Sequence, residues 1–285
     1  YDSVAYKQAL LETVRQPGTA QRNEGDAEAA LAAAATRVEA EYYAPHLAHA
    51  PMEPPAAVAS VTAAACEIWA PSQDPQSLIP MAEAITGLKP EQIRVNVTLL
   101  GGAFGRKSKC DFVEEAVFLS KQLAAPVLVQ WSREDDIRHD YYHAVSAQRL
   151  EAGLDGSGAV TAWRHRAAYP SIMSTFDSAV REAALMETGM GAVNVPYAIP
   201  NLRFEVGPAD AKVRIGWLRS VCHVFHSFAV NCFSDEIAQA RGVDPRDNLL
   251  QLLGPDRSID VAALGLEATE NYPFETARLR HVIEL

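Results

Sequence analysis

The stretch "IRVNVTLLGGAFGRKSKCDFVEEAVFLSKQL", residues 93–123, constrains the fold more than any other part of the chain. Its first third alternates β-branched and polar residues and predicts a strand. Its last third carries apolar residues at helical spacing and predicts a helix over Cys110 to Leu123. Between them lies a turn holding Gly101, Gly102 and Gly105 around an apolar Phe104. Glycines admit positive φ and let the backbone come close to a ligand. The turn lacks the spacing of a Walker A loop and of G-x-G-x-x-G, so neither a P-loop nor a nicotinamide Rossmann site is signalled. Arg106, Lys107 and Lys109 put positive charge at the helix start, where an anion would sit. Ser108 and Asp111 have capping-box spacing. A plain strand-to-helix turn and a ligand-holding turn both fit these residues.

The flanking sequence gives the fold class. "SVAYKQALLETVRQ" predicts an amphipathic helix ended by Pro17-Gly18, and the alanine-rich "DAEAALAAAATRVEAE" predicts a second, capped by Asp26. Four prolines break "YYAPHLAHAPMEPPAA" into extended or looped chain. "AVASVTAAACEIWAP" predicts strands. "DPQSLIPMAEAITG" predicts a helix capped by Asp74 and closed by Gly87, with Pro80 an awkward fit. "PVLVQWS" predicts a strand, and residues 143–170 a β-hairpin across Asp155 to Gly158. Residues 171–208 read as loop-rich, with no clean period. "HSFAVNCFSDEIAQARG" and "DPRDNLLQLLG" predict two more helices. Strands and helices without strict alternation indicate an α+β fold of layered mixed sheets with helices.

Composition narrows the function classes. With 48% hydrophobic and 21% charged residues the chain can build a sizeable core. A formal net charge of -11 with scattered basic residues argues against nucleic acid as a partner. The four cysteines, Cys66, Cys110, Cys222 and Cys232, form no C-x-x-C pair, so no zinc ribbon or iron–sulfur cluster is signalled. No apolar run is long enough for a transmembrane segment. The start at Tyr1, with neither initiator Met nor signal peptide, reads as part of something longer.

Five motifs in order carry a resemblance: "NEGDAEAALAAAATRVEAEY", "HAPMEP", "WAPSQDPQS", the glycine turn "GGAFGRKS" continued by "DFVEEAVFLSKQLAAPVLVQWSREDDIRHDYYH", and "LRSVCHVFHSFAVNCFSDEIA". Together they resemble the molybdenum-binding subunit of the xanthine oxidase/aldehyde oxidase family, in particular the beta subunits of isoquinoline 1-oxidoreductase type. The likeness runs from about Asn23 to the C-terminus. It implies a molybdopterin-binding domain over 41–285, incomplete here, preceded by a helical segment, 1–40, that ends another domain. The implied protein is a molybdopterin-dependent oxidoreductase that hydroxylates an N-heterocycle or an aldehyde with water as oxygen source. A non-catalytic fragment or stand-alone domain is the alternative. The implied cofactor is molybdopterin with molybdenum, as the cytosine dinucleotide. The implied partners are the rest of the subunit and a small iron–sulfur subunit carrying 2Fe-2S clusters. Relatives occur in cytoplasm and periplasm, so compartment stays open.

The resemblance also assigns residues. Gln73 stands where the family's Gln hydrogen-bonds to an oxo ligand of molybdenum; otherwise it reads as a turn residue ahead of a helix. Gly102, Phe104 and Gly105 stand where backbone amides approach the cofactor and an aromatic ring borders the substrate channel; otherwise Phe104 is a core anchor. A valine at Gly105 would then push into the cofactor's space. Arg219, with Ser220, stands where an Arg can donate to phosphate or pterin oxygens; otherwise it is a surface Arg. Cys222 occupies a position usually held by a small residue, with no nucleophilic role. Asp135, Asp136, His139, Asp140 and His143 have the residue types of a hard-metal site, and His46, His49 and Glu53 those of a zinc site. Both sets read instead as structural, the second as a buried polar support. The family's catalytic Glu lies in a Gly-Glu stretch outside this sequence.

Overall fold

A computed structural model of the chain describes residues 1–267 and 272–285. In chain order the elements are α1 (Ser3–Arg15), β1 (Thr19–Glu24), α2 (Ala27–Ala32), β2 (Thr36–Ala44), β3 (Ala56–Val61), β4 (Cys66–Ala70), α3 (Leu78–Thr86), β5 (Ile93–Val97), α4 (Asp111–Leu123), β6 (Val127–Gln130) and α5 (Arg133–Arg138). The hairpin β7 (Ser146–Leu154) and β8 (Val160–Ala168) follows, then α6 (Leu185–Thr188), β9 (Asn201–Gly207), α7 (His223–Arg241), α8 (Pro245–Leu253), the short pair β10 (Ser258–Ile259) and β11 (Phe274–Glu275), and α9 (Thr276–Glu284). Mixed sheets with helices packed on them make this the α+β architecture expected. The chain divides into two compact units, one of Leu47–His143 with Val213–Arg219, the other of Tyr1–His46, Ala144–Lys212 and Ser220–Leu285.

The unit of residues 47–143 and 213–219 is built on a four-stranded sheet in the order β5-β4-β3-β6. β4 and β5 run parallel and are joined through α3, while β3 is antiparallel to both its neighbours. Alternate residues of β3, Ala57, Ala59 and Val61, turn to one face with Ile68, and there Leu78 of α3 and Phe112, Val113, Ala116 and Val117 of α4 seal a core. Period-2 strands and 3.6-period helices bury their apolar faces against each other here. Pro80 falls in the first turn of α3, where its missing N–H is an unpaired donor anyway. Asp74 does not cap α3: it precedes a 3₁₀ turn, Pro75–Ser77, without a side-chain cap hydrogen bond, and α3 begins only at Leu78. Gly87 ends α3 with φ 77°.

The second unit is a five-stranded sheet in the order β1-β9-β8-β7-β2. β7 is buried on both faces. Leu150 and Ala152 turn toward Phe233 and Ile237 of α7, while Ala147 turns toward Leu10, Leu11 and Val14 of α1. Two expectations fail here. "TRVEAE" is not the end of an alanine-rich helix, because α2 stops at Ala32 and Thr36–Ala44 form β2, paired along its length with β7. Val38, Ala40 and Tyr42 alternate toward the core, and that burial outweighs local helix propensity. Nor is 171–208 loop throughout, since β9 runs parallel to β8 inside the sheet. Residues 1–40 accordingly hold strand as well as helix, and they cluster with 144–212.

Candidate cofactor site

The glycine turn, the loop after β4 and the segment 213–219 meet within one unit. Gln73 ties the first two together. Its backbone N–H donates to the Lys107 carbonyl at 3.0 Å, and its side-chain oxygen accepts from the Gly105 N–H at 2.9 Å. Because the partner is an N–H, the atom facing it must be the amide oxygen, so the NH₂ group is left to donate elsewhere. Gln73 is exposed, so that donor is accessible.

The turn itself holds left-handed backbone at Gly102 (φ 93°), Phe104 (φ 58°) and Gly105 (φ 108°). Phe104 is not a core anchor: it is 42% exposed. Its carbonyl accepts from the Arg219 N–H at 2.8 Å, and the Arg219 guanidinium lies 5.8 Å from its ring centroid. Arg219 is exposed, and among the described residues no carboxylate pairs with it. A backbone cradle, an outward amide donor and an unneutralised guanidinium are the groups an anionic, hydrogen-bond-rich cofactor requires, so the residues present fit a pterin phosphate.

Two expectations about the turn are corrected. Arg106 and Lys107 do not await an anion. Arg106 is buried, paired bidentately with Asp111 at 2.9 Å and with Asp140 at 3.1 Å, and its guanidinium lies 5.4 Å from the Trp131 and 5.2 Å from the Tyr141 ring centroid. Lys107 is buried against Glu53. Lys109 lies 4.5 Å from the Trp217 ring centroid, and burial lowers its pKa. No Ser108–Asp111 capping box forms, because the Ser108 hydroxyl donates back to the Gly105 carbonyl and Asp111 is taken by Arg106. Gly105 is also explained differently. A Cβ there would stand 1.7 Å from the Trp217 carbonyl oxygen, so its glycine is demanded by the protein's own backbone.

The support for the site is a buried polar network. Asp140 accepts from the His49 backbone N–H at 2.6 Å, faces its Nδ1 at 3.0 Å and accepts from the Tyr141 N–H at 2.7 Å. Burial pushes the Asp140 carboxyl up, but the His49 hydrogen bonds and the Arg106 charge outweigh it and hold it below the usual range. Burial raises the neighbouring Asp136 carboxyl in spite of Arg133. His49, Asp140 and Glu53 are thus spent on protein partners, and among the described residues no group of His, Cys, Asp and Glu is arranged to hold a metal ion. Of the three residues read as a buried polar support, His49 is buried, Glu53 is half-buried and His46 belongs to the other unit. Ser220 belongs to the other unit, where it and Val221 have positive φ just ahead of α7. Cys222 is buried and its thiol pKa is raised, chiefly by burial, which suits a packing role. Sequence reasoning missed Trp217: its carbonyl shapes the turn, and a backbone group leaves no trace in residue type.

Comparison with known proteins defines the class. Residues 12–248 match the model of the molybdopterin cofactor-binding domain, and the chain belongs to that family. It is 29% identical over 259 residues to a subunit of nicotinate dehydrogenase from Pseudomonas putida, covering 88% of this chain and 22% of that protein. It is 29% identical over 203 residues to the beta subunit of isoquinoline 1-oxidoreductase from Brevundimonas diminuta, covering 70% of this chain and 26% of that protein. The fold matches quinoline 2-oxidoreductase from Pseudomonas putida 86 with a TM-score of 0.67 at 22% identity, over 82% of this chain and 30% of that one. The chain therefore spans about a quarter of the length of these relatives.

Proposed function

We propose that this chain is a segment of a molybdenum hydroxylase large subunit that oxidatively hydroxylates an N-heterocycle or an aldehyde, with water as the oxygen source. The observation that carries the reading is Gln73: its oxygen is fixed by the Gly105 N–H, which leaves the NH₂ of an exposed residue free to donate. When bound, the cofactor supplies the redox-active metal for oxygen transfer to an electron-poor carbon. The chain's residues hold and orient it. Gln73 would donate through its NH₂. The turn at Gly102, Phe104 and Gly105 would line the cofactor, with the Gly105 N–H itself held by Gln73. Arg219 and Ser220 would offer cationic and hydroxyl donors to pterin or phosphate oxygens. The Phe104 ring forms an apolar ledge for a flat substrate. The cytosine dinucleotide form, the small 2Fe-2S subunit and the remainder of the large subunit complete the proposed assembly. Relatives named for nicotinate and isoquinoline stand beside others named for aldehydes, so the proposal keeps both substrate classes.

The alternative, second reading is a folded domain with no complete cofactor site. Metal analysis of this chain, and of the same chain within a complete subunit, separates the two. About one molybdenum per complete subunit, with turnover on a heterocycle or an aldehyde and none for the chain alone, supports the hydroxylase segment. A complete subunit without molybdenum would leave the second reading.

A further inference from the structure

The segment from His49 to Glu53 touches both walls of the site. At one end, the Glu53 N–H donates to the Gly101 carbonyl at 3.0 Å. Its carboxylate accepts from the Gly101 N–H at 3.0 Å and pairs with the buried Lys107 ammonium. Glu53 thereby staples the first residue of the turn to its seventh. The Lys107 carbonyl in turn holds the Gln73 backbone. At the other end, the His49 ring bridges Asp140 and the Trp217 carbonyl, with Nε2 2.6 Å from that oxygen. Both ring nitrogens lie within hydrogen-bonding distance of oxygen atoms, one on each wall. The Trp217 carbonyl is also the atom that Gly105 packs against, two residues before the Arg219 N–H that caps Phe104. Neither His49 nor Glu53 borders the outward face of Gln73 through any of these bonds.

We infer that His49 and Glu53 are positioning residues: one short segment sets the spacing between the turn 101–107 and the segment 217–219, and with it the gap where the Gln73 amide, Phe104 and Arg219 meet a ligand. What enters that gap rests on the function proposed above; the clamp does not. His49 acts on the far wall and Glu53 on the near one, so their loss should loosen different backbone bonds.

Residue-resolved amide hydrogen exchange on the protein tests this without any cofactor. The reporters are the N–H groups of Arg219, bonded to Phe104, and of Gly105, bonded to Gln73; the β3–β4 ladder is the control. With His49→Leu, exchange at Arg219 should rise about tenfold or more while the ladder is unmoved, since local openings are governed by local contacts. With Glu53→Gln, which keeps an acceptor for Gly101 but leaves Lys107 without its counter-charge, the rise should appear at Gly105 and not at Arg219. Asp140→Asn is a further arm. Both Asp140 oxygens accept from backbone N–H groups, of His49 and Tyr141, so the asparagine NH₂ must face one of them as a donor; the His49 end is loosened and exchange at Arg219 should rise as in His49→Leu. Equal acceleration of the ladder in every variant, or unchanged exchange at Arg219 in a folded His49→Leu protein, overturns the clamp. A complete subunit that never binds molybdenum would sink the cofactor reading alone and leave the exchange result standing.

Discussion

At the scale of single residues, Gln73 does two jobs through two atoms. Its oxygen secures the Gly105 N–H, and its NH₂ remains as a donor. Replacement by alanine removes both, so Gln73→Glu is the cleaner variant: it keeps the acceptor and loses the donor. Where one preorganised donor is lost, turnover commonly falls by roughly a hundred- to a thousandfold. In the complete enzyme we expect Gln73→Glu to retain its molybdenum and lose turnover on that order. Activity divided by bound molybdenum checks it, and a variant that loses its metal instead would place Gln73 in cofactor retention. Gly105 behaves differently. With φ 108° and the Trp217 carbonyl 1.7 Å from any Cβ, even Gly105→Ala must distort the turn. The backbone conformation alone costs about 1–3 kcal/mol, so a lowered thermal midpoint is expected, visible by calorimetry without cofactor.

At the scale of elements, α7 carries a pH liability into the five-stranded unit. His226 on α7 and His165 on β8 are both buried, and their rings are 6.3 Å apart. Burial pulls the His226 imidazole down to about 3, with His223 adding to the effect and the Met190 carbonyl opposing it. Burial, then His226, lowers His165 as well. Both native pKa values lie below the unfolded value near 6.5, so the unfolded chain binds more protons as pH falls. Stability is fully present above about pH 6.5 and declines below it by about 1.4 kcal/mol per pH unit for each histidine, until the native groups themselves titrate. Denaturant midpoints at pH 7 and pH 5 should show this loss. His226→Gln should flatten the slope by one histidine's share, and an unchanged slope would contradict the assignment. The same scale shows where sequence periodicity misled. β9 lies inside the sheet parallel to β8, but its partner is set by a crossover that no local pattern records.

At the scale of the whole molecule, the chain is about a quarter of its relatives, and several large apolar side chains stay in water. In the four-stranded unit Phe118, Leu123 and Leu128 are more than half exposed. Exposed apolar surface of this kind favours association, so the chain alone should self-associate at high concentration. A strictly monomeric mass by light scattering would refute that. By itself the sequence determined the strand–turn–helix at 93–123, the hairpin about Asp155 and the principal helices, because period-2 and period-3.6 burial is written locally. The order of five motifs also pointed to the molybdopterin-binding family. Sequence did not show that Gln73 spends its oxygen on a turn 32 residues away, or that Trp217 forbids a side chain at Gly105. It also offered Arg106 and Lys107 as anion ligands. Tertiary structure gave them instead to Asp111, Asp140 and Glu53, and left Arg219 with no carboxylate partner among the described residues. Which charges are spent and which remain depends on long-range neighbours, since a buried charge must find its partner within the fold.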